Sequence, residues 1–175
     1  MAIAEVGALR RLSMLFLLLT AAGKIIVNPY FATVDRSQVF KRVSFLIAAV
    51  TLFSAAFVTI SALFPWLFLW ILGDGYQHLE RALVIVVLTG CTKLLGDYFL
   101  NVILARKYVF KWFSLADVAH HIVVTICCIL LLDLSTIYGV LYLGLAVHGV
   151  RSLSNLLIML YGIARERSLS STSAA

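Results

Sequence analysis

Apolar residues in this chain come in long, nearly unbroken runs. Five of them cover about 12–34, 43–65, 82–105, 115–132 and 136–164. Most approach or exceed the roughly 20 residues that a helix needs to cross a hydrocarbon core of about 30 Å. A segment surrounded by lipid must satisfy its backbone donors and acceptors internally, so the runs predict helices. The pattern therefore predicts an all-α polytopic integral membrane protein with about five transmembrane helices, forming a single membrane domain over residues 1–167. Residues 168–175, rich in Ser and Ala, predict a disordered tail. No low-complexity linker and no internal repeat divides the chain.

Prolines and glycines punctuate the runs. Pro29 falls where the first helix should end or kink. The stretch from Val43 to Gly73 has 31 residues without a charge; as one helix it would be roughly 46 Å long, well beyond the core. Pro65 is expected to end the crossing part, leaving Trp66, Phe68 and Trp70 in the interface before the Gly73-Asp74-Gly75 turn. The first run follows Arg10 and Arg11, as in a signal peptide. Lys24 interrupts it, Asn28-Pro29-Tyr30 is a poor cleavage site, and four more spans follow, so it reads as a span.

Composition agrees with a lipid environment: 63% of residues are hydrophobic and only 13% charged, with a mean hydropathy of +1.05, against about half apolar and a quarter charged in soluble domains. The net charge of +6 lies in loops beside the spans. That placement points to topology and anionic headgroups and away from nucleic acid. With five spans, one side carries Arg10, Arg11 and Arg81. The other carries Arg36, Lys41, Arg42, Arg106, Lys107, Lys111, Arg165 and Arg167. Basic residues favour the cytoplasm, so the carboxyl terminus is expected inside and the amino terminus outside. Tyr108, Phe110, Trp112 and Phe113 are expected in the cytoplasmic aromatic belt.

Charges inside spans are the candidates for function. Each of Lys24, Lys93, Asp97 and Arg151 costs about 2.5–3.5 kcal/mol at a helix centre unless it meets a partner or a wet cavity. Lys93 and Asp97 are four apart and about 40° apart around the helix, and Asn101 extends the stripe. They form either a mutual ion pair or a polar face on a translocation path. His148, Arg151, Ser152 and Asn155 make a second polar face. Arg151 either meets a diphosphate or carboxylate, to which guanidinium is matched, or snorkels to headgroups. Asp117, His120 and His121 superficially suggest a histidine box, but such sites need many ligands and the chain has 4 histidines in all. Cys91, Cys127 and Cys128 form no C-x-x-C pair. No nucleophile triad or phosphate loop stands out, so neither an enzyme nor a cofactor or metal is implied.

Several short stretches carry a family likeness. They are Ala4-Glu5-Val6-Gly7-Ala8-Leu9-Arg10-Arg11-Leu12, Asn28-Pro29, Phe64-Pro65 leading to Leu72-Gly73-Asp74-Gly75-Tyr76, and Ile137-Tyr138-Gly139-Val140. In this order, over roughly residues 4–163, the chain resembles the carboxyl-terminal lobe of polysaccharide flippases of the multidrug/oligosaccharidyl-lipid/polysaccharide exporter superfamily. The resemblance implies a bacterial inner-membrane protein, non-enzymatic, that helps carry polysaccharide precursors across the membrane as lipid-diphosphate-linked glycans. It implies Lys24, Lys93 and Arg151 as anion contacts, with Asp97, Asn101, His148 and Asn155 lining the polar path or holding those cations. It also implies a missing amino-terminal lobe and first helix, so that the chain is a fragment or subunit inactive alone. The rival expectations are a small transporter acting as a homo-oligomer and a non-transporting assembly subunit.

Overall fold

The computed structural model describes residues 2–110 and 112–172. Lys111 and the last three residues of the expected tail lie outside the described residues. The fold is all-α: α1 (Ala2–Thr33), α2 (Val39–Leu63), a short α3 (Pro65–Leu72), a 3-10 turn (Asp74–Leu79), α4 (Glu80–Ala105), α5 (Phe113–Leu131) and α6 (Ile137–Thr172). Among the described residues, α1, α2, α4 and α6 contain stretches long and apolar enough to cross a membrane, and α5 contributes a shorter apolar helix over Leu115–Leu131. This is the architecture of a helical membrane protein.

Three differences from the sequence pattern have physical causes. Pro29 lies inside α1 and does not end it. The chain runs on to Thr33, whose hydroxyl donates to the Pro29 and Tyr30 carbonyls in the last turn. Residues 168–172, expected to open a disordered tail, are the last helical residues of α6. They continue a helix that already has 31 residues behind it, and extending a helix fixes one residue per added hydrogen bond. Pro65 does end the crossing helix, but it also starts α3, as proline suits a first helical turn. Trp66 and Trp70 are exposed there, while Phe68 turns inward against Phe57 with ring centroids 5.3 Å apart.

α4 is the centre of the bundle. It packs most extensively on α6, then on α1 and α2. α1 runs parallel to it, as shown by three contacts in step: the Phe16 ring on Gly90, the Tyr98 ring on Gly23, and Arg106 on the Phe31 carbonyl. α6 also runs parallel, with Gly144 on Thr89 and Ser152 on Gly96. Small residues let these backbones approach, the usual means of helix association where lipid removes the hydrophobic drive. A methyl added at Gly96 would lie 3.1 Å from the Ser152 Cα. α2 runs antiparallel along α4, where Val43 joins Val102 and Ile103 in one buried cluster. α5 packs chiefly on α6.

One end of the bundle is tied by Arg106, Glu166 and Tyr108. Arg106 donates to the Phe31 and Val34 carbonyls at 3.3 and 2.8 Å, holding the end of α1. Its other terminal nitrogen pairs with Glu166 on α6, and the Tyr108 hydroxyl donates to the second Glu166 oxygen. Burial, then the bond to Glu166, pushes the Tyr108 phenol up to about 12, so it remains a donor at neutral pH. Tyr108 is therefore turned onto α6. The turn that places it is a Schellman motif: Tyr108 N–H bonds the Ile103 carbonyl and Lys107 N–H bonds the Leu104 carbonyl. Lys107 has φ 58°, the only positive value on a non-glycine residue among those described. Glycine is the usual residue there, and a side chain in that conformation costs about 1–2 kcal/mol.

The α4–α6 approach yields a first prediction. Gly96→Leu should force these helices apart and cost about 1–3 kcal/mol, read as a lower melting temperature in detergent. Gly149→Ala on α6, where an added methyl meets nothing within 4 Å, should leave the melting temperature the same or higher, since alanine favours a helix interior over glycine. Equal melting of both variants would show that the close approach does not hold the bundle.

Candidate functional site

The in-span charges that the sequence singles out gather, with one exception, between α4, α5 and α6. On α4 the Lys93 Nζ lies 2.6 Å from the Asp97 Oδ2, so the i, i+4 spacing makes an ion pair. Their side chains keep 34% and 16% of their exposure, so the pair is only partly covered. His148 on α6 is half-buried and feels the charges of Lys93, Asp97, Arg151 and His121. Ionisable groups of α4, α5 and α6 are thus near enough to act on it.

Arg151, one turn further along α6, is held by α5. Its Nη2 donates to the Asp117 Oδ2 at 3.2 Å, again with both side chains only partly buried. Sequence reading saw Asp117 only beside two histidines, in a supposed ligand run. The structure gives it a different role, as the counter-ion that fixes α5 on α6. The available signal was an acid one turn into an apolar helix, which demands a cation somewhere. His120 and His121 stack with ring centroids 5.9 Å apart. Among the described residues no three His, Cys, Asp or Glu side chains lie close enough to hold a metal.

The remaining predicted residues divide. Asn155 is buried and its amide donates to the Gly96 carbonyl at 3.1 Å, clamping α6 on α4 beside the Ser152 contact. It also lines, with Asp117 and His120, a cavity of about 220 Å³ between α5 and α6. Asn101 is buried on α4. Lys24 is exposed on α1 and belongs to neither ion pair. Two polar atoms, Arg151 Nε and His120 Nε2, are buried with no hydrogen-bond partner among the described residues. Each leaves bonding capacity unused in a low-dielectric setting, where an unmet polar group is costly. The arrangement is a partly open polar seam of alternating charge, able to hold hydrated or anionic groups without covalent chemistry. Compared with known proteins, the chain matches no protein-family model, no curated protein and no solved structure.

The Arg151–Asp117 pair gives a second prediction. Asp117→Ala strands a cation within the spans and should cost about 2–3 kcal/mol. The double change Asp117→Ala with Arg151→Ala should recover much of that loss. Thermal melts of the three proteins in detergent check it. Additive losses would mean the two charges do not depend on each other.

Proposed function

We propose that this chain forms one wall of a path by which a lipid-diphosphate-linked oligosaccharide crosses a bacterial inner membrane, as part of an exporter of polysaccharide precursors. One observation carries the reading: the charges within the spans, Lys93, Asp97, Asp117 and Arg151, are paired yet only partly covered, on one side of the bundle. These pairs stay partly open beside a half-buried histidine and two unmet polar atoms, so polar groups entering the seam can reach them. A glycan crossing lipid needs a hydrated surface, and a guanidinium matches a diphosphate in bidentate geometry. The family likeness in the sequence supports the same substrate class. The role is non-enzymatic, since the chemistry required is binding and release.

Such a wall needs an opposing one, because alternating access moves one half of a carrier against another. A companion lobe supplies it in this reading. A second copy of the chain is the alternative, favoured by α5, which packs chiefly on α6 and so leaves its outer face uncovered.

Orientation follows from the basic residues. Arg36, Arg106, Lys107 and Arg165 line one cavity at one end of the bundle, and that end is assigned to the cytoplasm. Reporters fused after Arg36, Lys107 and Arg165 should read cytoplasmic, and those near Asp74 and Asp133 external. Cytoplasmic activity at Asp74 would sink the topology.

Binding tests the function. The purified chain in detergent should bind a polyprenyl-diphosphate-linked sugar, and Asp117→Asn with Arg151→Gln, neutral but similar in shape, should weaken it about tenfold, near 1.4 kcal/mol. Unchanged binding would end the assignment of the seam as a substrate surface. In vesicles the chain alone should not flip this lipid. Robust flipping lost in Arg151→Ala would replace the companion-lobe reading with that of a self-sufficient small transporter.

A further inference from the structure

The end of the bundle tied by Arg106 also encloses a cavity of about 740 Å³, separate in its charged residues from the seam between α4, α5 and α6. Its charged lining is Arg36, Arg106, Lys107 and Arg165 against a single acid, Glu166. That acid is already engaged. It accepts from Arg106 and Tyr108, and Arg36 reaches only the oxygen that Arg106 holds, at 3.5 Å. Arg106 is further bound to two α1 carbonyls. Lys107 and Arg165 have no carboxylate within ion-pair distance among the described residues, so three cations share less than one acid's charge around one cavity.

The backbone adds an independent observation. Lys107 sits in the left-handed position of the Schellman turn, φ 58°, where glycine is favoured. A strained conformation on a non-glycine side chain is a pointer to function when the strain sits at a site. Here the strained residue is one of those that line the cavity. Besides Tyr108 and Tyr161, the remaining lining is apolar, including Phe110, Leu157 and Ile158. A cation cluster beside an apolar wall, at the end of membrane-crossing helices, suits an amphiphile: a phosphate at the cations and hydrocarbon against the wall.

We infer that this cavity binds the phosphate of an anionic membrane lipid, with Lys107, Arg165 and Arg36 as the charge that holds it. The inference goes beyond the proposed transport path, since it concerns a resident lipid at the bundle end and none of the seam's ionisable residues.

The variant that separates binding from folding is Lys107→Gly. It removes a cation and also relieves the left-handed side chain. The delipidated full chain, in a non-ionic detergent, is titrated with phosphatidylglycerol, and binding is read by native mass spectrometry alongside thermal melts. Lys107→Gly should melt without lipid at the same temperature as the parent or higher, yet bind phosphatidylglycerol about fivefold more weakly, as expected for one basic residue at an anionic surface. Arg165→Gln should weaken binding to a similar degree, and phosphatidylcholine should bind poorly to all three proteins. Unchanged phosphatidylglycerol binding in both variants would overturn the site. A lower lipid-free melting temperature in Lys107→Gly would overturn the argument that lysine is kept there against its conformational preference. Inorganic phosphate protecting the parent as well as phosphatidylglycerol does would overturn the lipid assignment in favour of a soluble anion.

Discussion

Charge placed inside lipid is costly unless it is paired or reaches water, and two ion pairs between or along the helices of this bundle answer that constraint. Lys93 finds Asp97 on its own helix, and Arg151 finds Asp117 on another. The first pair is local and makes α4 tolerable as a span. The second is long-range and holds α5, a helix with few other attachments, against α6. A hydrophobic face could not do the same work, since lipid tails compete equally well for apolar surface. Polar contacts and close backbone approach have to decide which helices meet.

The same logic explains why α4 is central. It presents Gly90 to the Phe16 ring on α1 and Gly96 to Ser152 on α6, so two neighbours approach closely on different faces. Asn155 then spends its amide on the Gly96 carbonyl, adding direction to a contact that packing alone would leave free to slide. At the helix ends Arg106 joins α1, α4 and α6 through two carbonyls and one carboxylate. The consequence is a tight α1–α4–α6 core with α5 beside it, and the partly open seam lies where that core meets α5.

Asn155 takes part in both the helix contact and the cavity beside it. Its buried amide clamps two helices, yet it lines the cavity that also holds Asp117 and His120. The α4–α6 side of the seam is thus fixed by both a hydrogen bond and a close backbone approach. On its α5 side the Arg151–Asp117 pair joins the packing of α5 on α6.

The all-α membrane class, the order of the long apolar helices and the break at Pro65 were legible in the sequence, because runs of apolar residues and a missing backbone donor act locally. So was the Lys93–Asp97 pair, since i and i+4 share a helix face whatever surrounds them. Only the packing of the helices shows that Asp117 is the partner of Arg151, that Lys24 is exposed and joins neither ion pair, and that Glu166 is shared by Arg106 and Tyr108. These depend on which helices pack and in what register, 34 residues apart for the first pair and 60 for Arg106 and Glu166. No local periodicity encodes that. The left-handed Lys107 was hidden for a related reason: a lysine in sequence gives no sign of a turn that glycine would announce.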